Sequence, residues 1–393
     1  MGKQCYDVGI IGSGIAGSAL ATALSRNGFS VALLDRRSSP LDTARGDHIQ
    51  PAVQSLLARW GVLDALIQAG AEKRYGTRWF DGEGNHIVTI PVPEHDECHP
   101  HFLFLNHEKI GEVLLAYAKR AGATSIAGAS QWAVERGSGR WRVSWQQMEN
   151  DAKFECTVLV GADGTASSVC RALGIEIDRH RYQYPIAVLY GQQRDVPERR
   201  TLDVFVTTDR IVPVVPRTGG GSKLGVPVSV EELPFWRDQP EDALRSRLAQ
   251  WCPALKFERL SFGDVYPPVS QQSLPYQGEG AAVLIGDARH AMHPARSMGM
   301  NTCFRVADRL AQRIAQLSPG FSEDEVLPVI SSFEASLRNE LEPQLQENHV
   351  AGLQMDTLSG RGFPQLVAQL RGAAKDPRIV QGMALKAAGI EGL

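Results

Sequence analysis

Apolar runs with two different periods alternate along the first part of this chain. Residues 6–11 are short, apolar and β-prone, which predicts a strand. A helix opens at Gly12-Ser13-Gly14-Ile15-Ala16-Gly17, continues through Ala19, Leu20, Ala23 and Leu24, and stops at Asn27-Gly28. Residues 30–34 then predict a second strand. Ile110, Val113, Leu114 and Tyr117 recur at helical spacing and predict an amphipathic helix over 107–121. Short strands follow at 124–127, 131–136 and 140–145, the last after the turn signal Gly137-Ser138-Gly139, and another at 154–160.

The pattern changes over residues 175–275. Helical periodicity fades, β-rich segments stand at 182–191, 201–206, 209–216 and 223–228, and Pro213, Pro216, Pro227, Pro267 and Pro268 interrupt them. One helix is expected at 241–251. Beyond it, residues 281–285 predict a buried strand. Gly299-Met300-Asn301 opens a helix continuing through Val306, Leu310 and Ile314, and a long helix over 323–354 carries Val326, Ile330, Phe333 and Leu337 on one stripe. These elements predict an α/β fold: a Rossmann-like nucleotide-binding domain assembled from residues 1–75, 102–174 and 276–345. An inserted, mainly antiparallel β-sheet domain from 76–101 and 175–275 is expected to roof the cofactor, with a C-terminal helical segment over 346–393.

Three glycine-bearing elements carry the chemistry. In the first, Gly12 permits a tight turn, Gly14 lets backbone amides approach a pyrophosphate, and Gly17 lets the helix pack on the sheet. The helix N-terminus presents unpaired N–H groups to the phosphates, and Asp35, with Arg36 beside it, stands where an acid accepts hydrogen bonds from an adenosine ribose. The second is Gly161-Ala162-Asp163-Gly164, a strand running into a turn that carries an acid, with Ser167-Ser168 as helix cap. In the third, Gly286-Asp287 ends a strand, Asp287 is placed to accept a ribityl hydroxyl, Pro294 stiffens a loop, and Gly299-Met300-Asn301 aims a helix N-terminus at a flavin edge. One glycine fingerprint says only dinucleotide; the three together point to FAD held along its length.

Composition narrows the function classes. A net charge of −3 gives no electrostatic reason to expect nucleic acid or an anionic membrane. No apolar run approaches the roughly 20 residues a membrane span requires, and the apolar N-terminus reads as first strand and helix, not a signal peptide. Six cysteines without a C-x-x-C pair fit a reducing cytoplasm. The run His95-Asp96-Glu97-Cys98-His99-Pro100-His101 matches no common zinc spacing and reads as a polar turn.

With these motifs in place, the chain resembles the single-component FAD-dependent aromatic hydroxylases, the group that includes p-hydroxybenzoate hydroxylase, over residues 5 to about 345. The resemblance implies FAD, with NAD(P)H as transient electron donor and no second nucleotide domain. It implies that Gly12, Gly14, Gly17 and Asp35 hold the ADP half, that Arg45 in Thr-Ala-Arg-Gly-Asp contacts the flavin, and that Asp163 serves FAD and NAD(P)H. It places Asp287, Pro294, Gly299, Met300 and Asn301 at the ribityl chain and isoalloxazine. Three positions depart from the family pattern. His107 stands where an FAD-contacting arginine is usual, Cys170 fills an arginine slot with Arg171 next to it, and Ser297-Met298 replaces Gly-Gln.

The reaction this implies is monooxygenation of an aromatic or polyketide-like small molecule through a flavin C4a-hydroperoxide formed from O2, in a site that excludes water and offers a base or hydrogen-bond relay to a phenol. His293 is the first candidate for that relay, against the alternative of a loop histidine that caps the following turn. Tyr182, Tyr190 and Phe205 are candidates for the substrate cavity. A flavin-dependent halogenase, an FAD-dependent dehydrogenase or reductase, and a non-catalytic flavin-binding protein are the alternatives. The halogenase reading lacks its Trp-x-Trp-x-Ile-Pro stretch, and neither Lys73 nor Lys109 has the context of its tunnel lysine. Monomer and homodimer both stay open.

Overall fold

A computed structural model of the protein describes residues 4–38, 46–147, 150–193, 200–358 and 363–390. The described residues build two large sheets. In the first, the parallel strands Thr124–Ala127, Val31–Asp35, Cys5–Ile11, Asn150–Gly161 and Ala281–Leu284 lie side by side, and Trp141–Gln147 and Ser130–Arg136 extend the sheet antiparallel. The strands Cys5–Ile11 and Val31–Asp35 are apolar on both faces because both are covered. Helix Ile15–Arg26 packs on one face together with Gly299–Ile314. The long helix Glu323–Met355 buries Val326, Ile330, Phe333 and Leu337 in the same core.

The second sheet is mainly antiparallel and runs Arg259–Tyr266, Ile186–Gln192, Ser222–Pro227, Ile211–Pro216, Leu202–Val206, Gly76–Asp81, His86–Pro91. Among the described residues, the one parallel pair along it joins Leu202–Val206 to Gly76–Asp81, two segments far apart in sequence. Pro216 and Pro227 end their strands and Pro267-Pro268 separate two, as expected, but Pro213 sits inside a strand. Pro213 pairs with Val204 on one side, while the ladder on the other side begins only at Val214, so the missing N–H costs no bond there.

One face of this sheet buries Ala187, Leu189, Phe205, Val212, Val214 and Val226 under the helices Leu233–Asp238 and Glu241–Trp251. Alternate residues such as Leu202 and Val204 turn to the opposite face, where they pack with Phe102, Phe104 and Phe363, because side chains along a strand alternate in direction. Strands at Ile177–Arg181, Arg259–Tyr266 and Val269–Ser273, and the helices Pro51–Arg59 and Leu63–Gln68, go beyond the elements expected from the sequence. Arg259–Tyr266 is an edge strand that is mostly solvated, so it carries no apolar period to read.

Candidate functional site

A cavity of about 1190 Å³ is lined by residues of both sheets, the glycine elements and the C-terminal helices. One end is built by the first glycine element. Gly12 has φ +108°, and a Cβ there would lie 2.4 Å from the Ala162 carbonyl oxygen, so the turn admits no side chain. At Gly17 a Cβ would fall 1.9 Å from the Gly12 oxygen, which is the close helix–sheet approach. Gly14 differs: nothing stands within 4 Å of its Cβ position, and it lines the cavity with Ile15 and Ala16. Its open side is a cradle that any larger residue would fill.

Asp35 accepts from the Ser13 backbone (2.7 Å) and hydroxyl (2.8 Å), and from the Arg37 backbone (2.8 Å). Burial works to raise its pKa, but these hydrogen bonds and the Arg37 charge outweigh it and hold the carboxyl below its usual range. Asp35 and Arg36 line the cavity; Ser13 is buried behind them.

The second element lines the same end. Asp163 accepts from Ser167 Oγ (2.5 Å) and the Ser168 backbone (2.7 Å), fixing the turn, while Ser167 accepts from the Cys170 backbone as the cap of Ser168–Ala172. Cys170 is buried with its thiol pKa raised by burial, and Arg171 lines the cavity while binding the Ala166 carbonyl. Of the two, Arg171 alone can meet a ligand.

His107 starts its helix, donates its backbone N–H to Asp47 (3.0 Å), and has Nδ1 2.9 Å from the Gly46 oxygen. Asp47 also lies 2.8 Å from Lys223 Nζ, a buried ion pair that crosses from the first region to the second sheet. Both His107 and Lys223 line the cavity. The lysines on the cavity wall are Lys223 and Lys386, not Lys73 or Lys109. Arg45 lies outside the described residues.

The third element forms the middle. Gly286, at φ +59°, packs so tightly that a Cβ would sit 2.6 Å from Ala16 Cβ, and Asp287 follows on the cavity wall. Pro294 to Met300 also line it. Ser297 occupies the left-handed region at φ +51°. Asn301 is buried and points elsewhere. Its Oδ1 accepts from the Gln50 backbone (2.8 Å), and its Nδ2 donates to the oxygens of His48 (3.2 Å) and Ser297 (3.3 Å), stapling the helix start to the segment 48–50.

His293 takes the capping role. Its Nδ1 accepts from the Ala295 backbone (3.1 Å), its ring packs edge-on to Tyr182 at 4.5 Å, and it is absent from the cavity wall. Burial, then the nearby His349, push its pKa down to about 4. Tyr182 stands behind it with its hydroxyl 2.9 Å from His349 Nδ1. Tyr190 lies under the Arg217 guanidinium at a small separate depression, and Phe205 stacks on Phe80 at 5.2 Å on the far face of the sheet. None of the three lines the main cavity. For Phe205 the reason is strand alternation: Leu202 and Val204 take the cavity face, which puts Phe205 opposite.

The far end is an apolar chamber. Trp79, Ile90, Phe102, Phe104, Val188 and Leu202 are among its walls, and Leu366, Leu370 and Met383 from the helices Phe363–Ala373 and Pro377–Ala388 close it. His48 lies at the junction of this chamber and the Gly299 helix start. Sequence reading passed over His48 and Lys223, since neither sits in a glycine motif; the signal available was the segment Asp47-His48-Ile49 directly after the Thr-Ala-Arg-Gly stretch. Among the described residues no group of three His, Cys, Asp or Glu side chains is placed to hold a metal, and no helix is long and apolar enough to cross a membrane.

The family model described as "FAD binding domain" matches residues 5–332. Among curated relatives, the chain is 26% identical over 351 residues to 12-dehydrotetracycline 5-monooxygenase/anhydrotetracycline 6-monooxygenase of Streptomyces rimosus, covering 85% of this chain and 66% of that protein. It is 24% identical over 330 residues to 6-hydroxynicotinate 3-monooxygenase of Bordetella bronchiseptica, covering 79% of this chain and 82% of that one. So the chain spans just under two thirds of the first relative's length and more of the second's. The crystal structure of p-nitrophenol 4-monooxygenase from Pseudomonas putida DLL-E4 superposes with a TM-score of 0.84 at 17% identity, over 100% of this chain and 99% of that one.

Proposed function

Because the chain belongs to the FAD-binding family of aromatic hydroxylases, we propose that it is a monooxygenase acting on a neutral, largely apolar, multi-ring aromatic or polyketide-like molecule, with O2 and NAD(P)H as co-substrates. The observation that carries this reading is the continuity of the cavity: the nucleotide turn, the Pro294–Met300 loop and the apolar chamber share one continuous space. The residues fit FAD. The open side of Gly14 suits a pyrophosphate against the helix N-terminus, and the ionised Asp35 with Arg36 suits the ribose. Asp163, His107 and Asp287 would line the middle of the cofactor, and Pro294, Gly299 and Met300 its ring. The division into a nucleotide-binding part and a substrate-binding part belongs to this proposal. Bound FAD supplies the redox and oxygen-activating chemistry; the protein orients the substrate carbon and keeps water out.

Charge pairing supports a neutral substrate. Among the described residues at the chamber end, Lys223 is paired with Asp47, Lys386 lies 3.7 Å from Glu347, and Arg296 binds Glu347. A substrate carboxylate would have to break one of these pairs. The test is NADPH and NADH oxidation by the FAD-loaded protein with neutral multi-ring phenols and with aromatic carboxylates, under ¹⁸O2 and with mass analysis of product. Incorporation of one labelled oxygen into a neutral phenol is expected. A protein that takes up no FAD, or reduces O2 without ever labelling a substrate, would sink the reading, and a brominated product in added bromide would point to halogenation instead.

A further inference from the structure

The wall of the cavity carries several titratable side chains, and most are already engaged. His107 Nδ1 is held at the Gly46 oxygen, Glu108 by Arg217 (3.0 Å), Lys223 by Asp47, and Glu347 by Arg296. His48 stands apart. Its ring stacks on Phe104 at 5.3 Å and meets Phe102 edge-on at 5.6 Å, with no hydrogen bond to its nitrogens among the described residues. The imidazole is surrounded by protein yet open to the cavity. Its position is fixed from two sides: Ile49 pairs with Leu103 in the strand ladder, and the Asn301 side chain holds the His48 carbonyl and the Gln50 N–H at the start of the Gly299 helix. A polar ring fixed at the meeting point of an apolar chamber and the helix proposed to face the flavin has one use left for its nitrogens, which is a ligand.

We propose that His48 accepts the proton of the substrate's ring hydroxyl during oxygen transfer. This rests on the monooxygenase reading above and adds the residue that handles the proton. As the ring carbon ortho or para to the hydroxyl takes up oxygen, a ring π pair forms the new C–O bond. The hydroxyl O–H bond breaks, its electron pair closes to a ring C=O, and the proton passes to the imidazole. Transfer of the proton from the substituted carbon to the ring C=O oxygen restores the aromatic ring and its hydroxyl. The substrate gives up two electrons, NAD(P)H supplies two through the flavin, and O2 accepts all four. The second oxygen atom leaves as water and carries away the imidazolium proton. Proton removal in step with bond formation spares the site a free phenolate in an apolar chamber.

The charged groups around His48 are Asp47 on its own segment, Lys223 from the second sheet bound to Asp47, Arg74 over the Phe104 ring at 6.0 Å, and Arg305 beside Gln50. The Asp47–Lys223 pair is internally compensated, so burial dominates and brings the imidazole pKa down to about 4. The ring is therefore neutral throughout the neutral range, a weak base toward a resting phenol that takes the proton only as C–O bond formation acidifies the hydroxyl.

The test uses FAD-loaded wild type, His48→Gln and His48→Ala, with 4-nitrophenol as binding probe. In the wild type the absorption band of bound 4-nitrophenol is expected to shift to the red of its position in an apolar solvent, as for a phenol that donates a hydrogen bond to a ring nitrogen. His48→Ala should lose the shift and bind about tenfold more weakly (about 1.4 kcal/mol), and added imidazole should restore the band. With any phenol the wild type hydroxylates, His48→Gln should lower labelled product about 100-fold and release peroxide instead, while NAD(P)H still reduces the flavin within about threefold of the wild-type rate. A fold defect would also shift the melting midpoint and FAD affinity, so both are measured alongside. A wild type without the shifted band, or variants that keep band and product, overturn the assignment of His48. If instead the band behaves as expected and no phenol is ever oxygenated, it is the monooxygenase reading that fails.

Discussion

At the scale of single residues, backbone freedom governs the site. Ser297 holds φ +51° beside the cavity, a region where a Cβ costs roughly 1 kcal/mol. Ser297→Gly is therefore expected to raise stability by up to about 1 kcal/mol, read as a shift in the urea midpoint at unchanged slope; a destabilised variant would mean the serine side chain contributes more than its backbone costs. The glycines at 12, 14 and 17 show how one motif serves three mechanical needs, of which only Gly14 faces open space. Residue-level chemistry was harder to read. A histidine beside Pro294 drew attention to His293, whose nitrogen turns out to satisfy the Ala295 backbone. The His48 ring, unbonded among the described residues, carries no motif to advertise it.

Elements decide what the cavity can hold. The helices Phe363–Ala373 and Pro377–Ala388 contribute Leu366, Leu370 and Met383 to its wall, so under the proposed function these helices, far in sequence from the glycine elements, would limit substrate size. Gln50 and Arg305 anchor this segment through the oxygens of Ala387 and Gly389. Leu366→Trp should therefore raise KM for multi-ring substrates at least about tenfold, about 1.4 kcal/mol, while single-ring phenols and FAD affinity change little. Equal losses for both substrate sizes would show that the helix does not form the size limit. The strand pattern Leu202, Val204 against Phe205 shows the same rule within a sheet, since the period of two sends neighbours to opposite faces.

Across the whole molecule, the second sheet is tied to the segment that leads into His48–Ile49 by the Lys223–Asp47 pair, both members of which are buried. Removing one partner leaves the other charge uncompensated in a poorly hydrated site. Lys223→Met is expected to destabilise by roughly 3–5 kcal/mol, and the added change Asp47→Asn should recover part of that loss in chemical denaturation. No loss for the single variant would show that water reaches the carboxylate. Stability should also depend on acid. Burial depresses His290 and His293 to about 4 in the fold, against about 6.5 unfolded. A depressed histidine binds its proton more readily in the unfolded chain. Its contribution is thus full above about pH 6.5 and is lost as pH falls toward 4, with a slope of up to about 1.4 kcal/mol per pH unit for each group. Unfolding midpoints between pH 7 and 4.5 check this, and His290→Leu should flatten the curve; an unchanged slope would assign the acid sensitivity to other groups.

What the amino-acid sequence determined by itself was local: the strand–glycine–helix joints, the acid after the second strand, the helix stripes and the antiparallel character of the insert. Each depends on backbone geometry or on periodicity within about a dozen neighbouring residues, and those are written contiguously. Tertiary structure alone decided which side chains share a space. Gly76–Asp81 joins Leu202–Val206 across the chain, the C-terminal helices return to close the chamber, and Asp47, His48 and Lys223 meet at its edge. Such contacts come from packing distant apolar faces together, and no local pattern records which faces will meet or which polar ring is left without a partner between them.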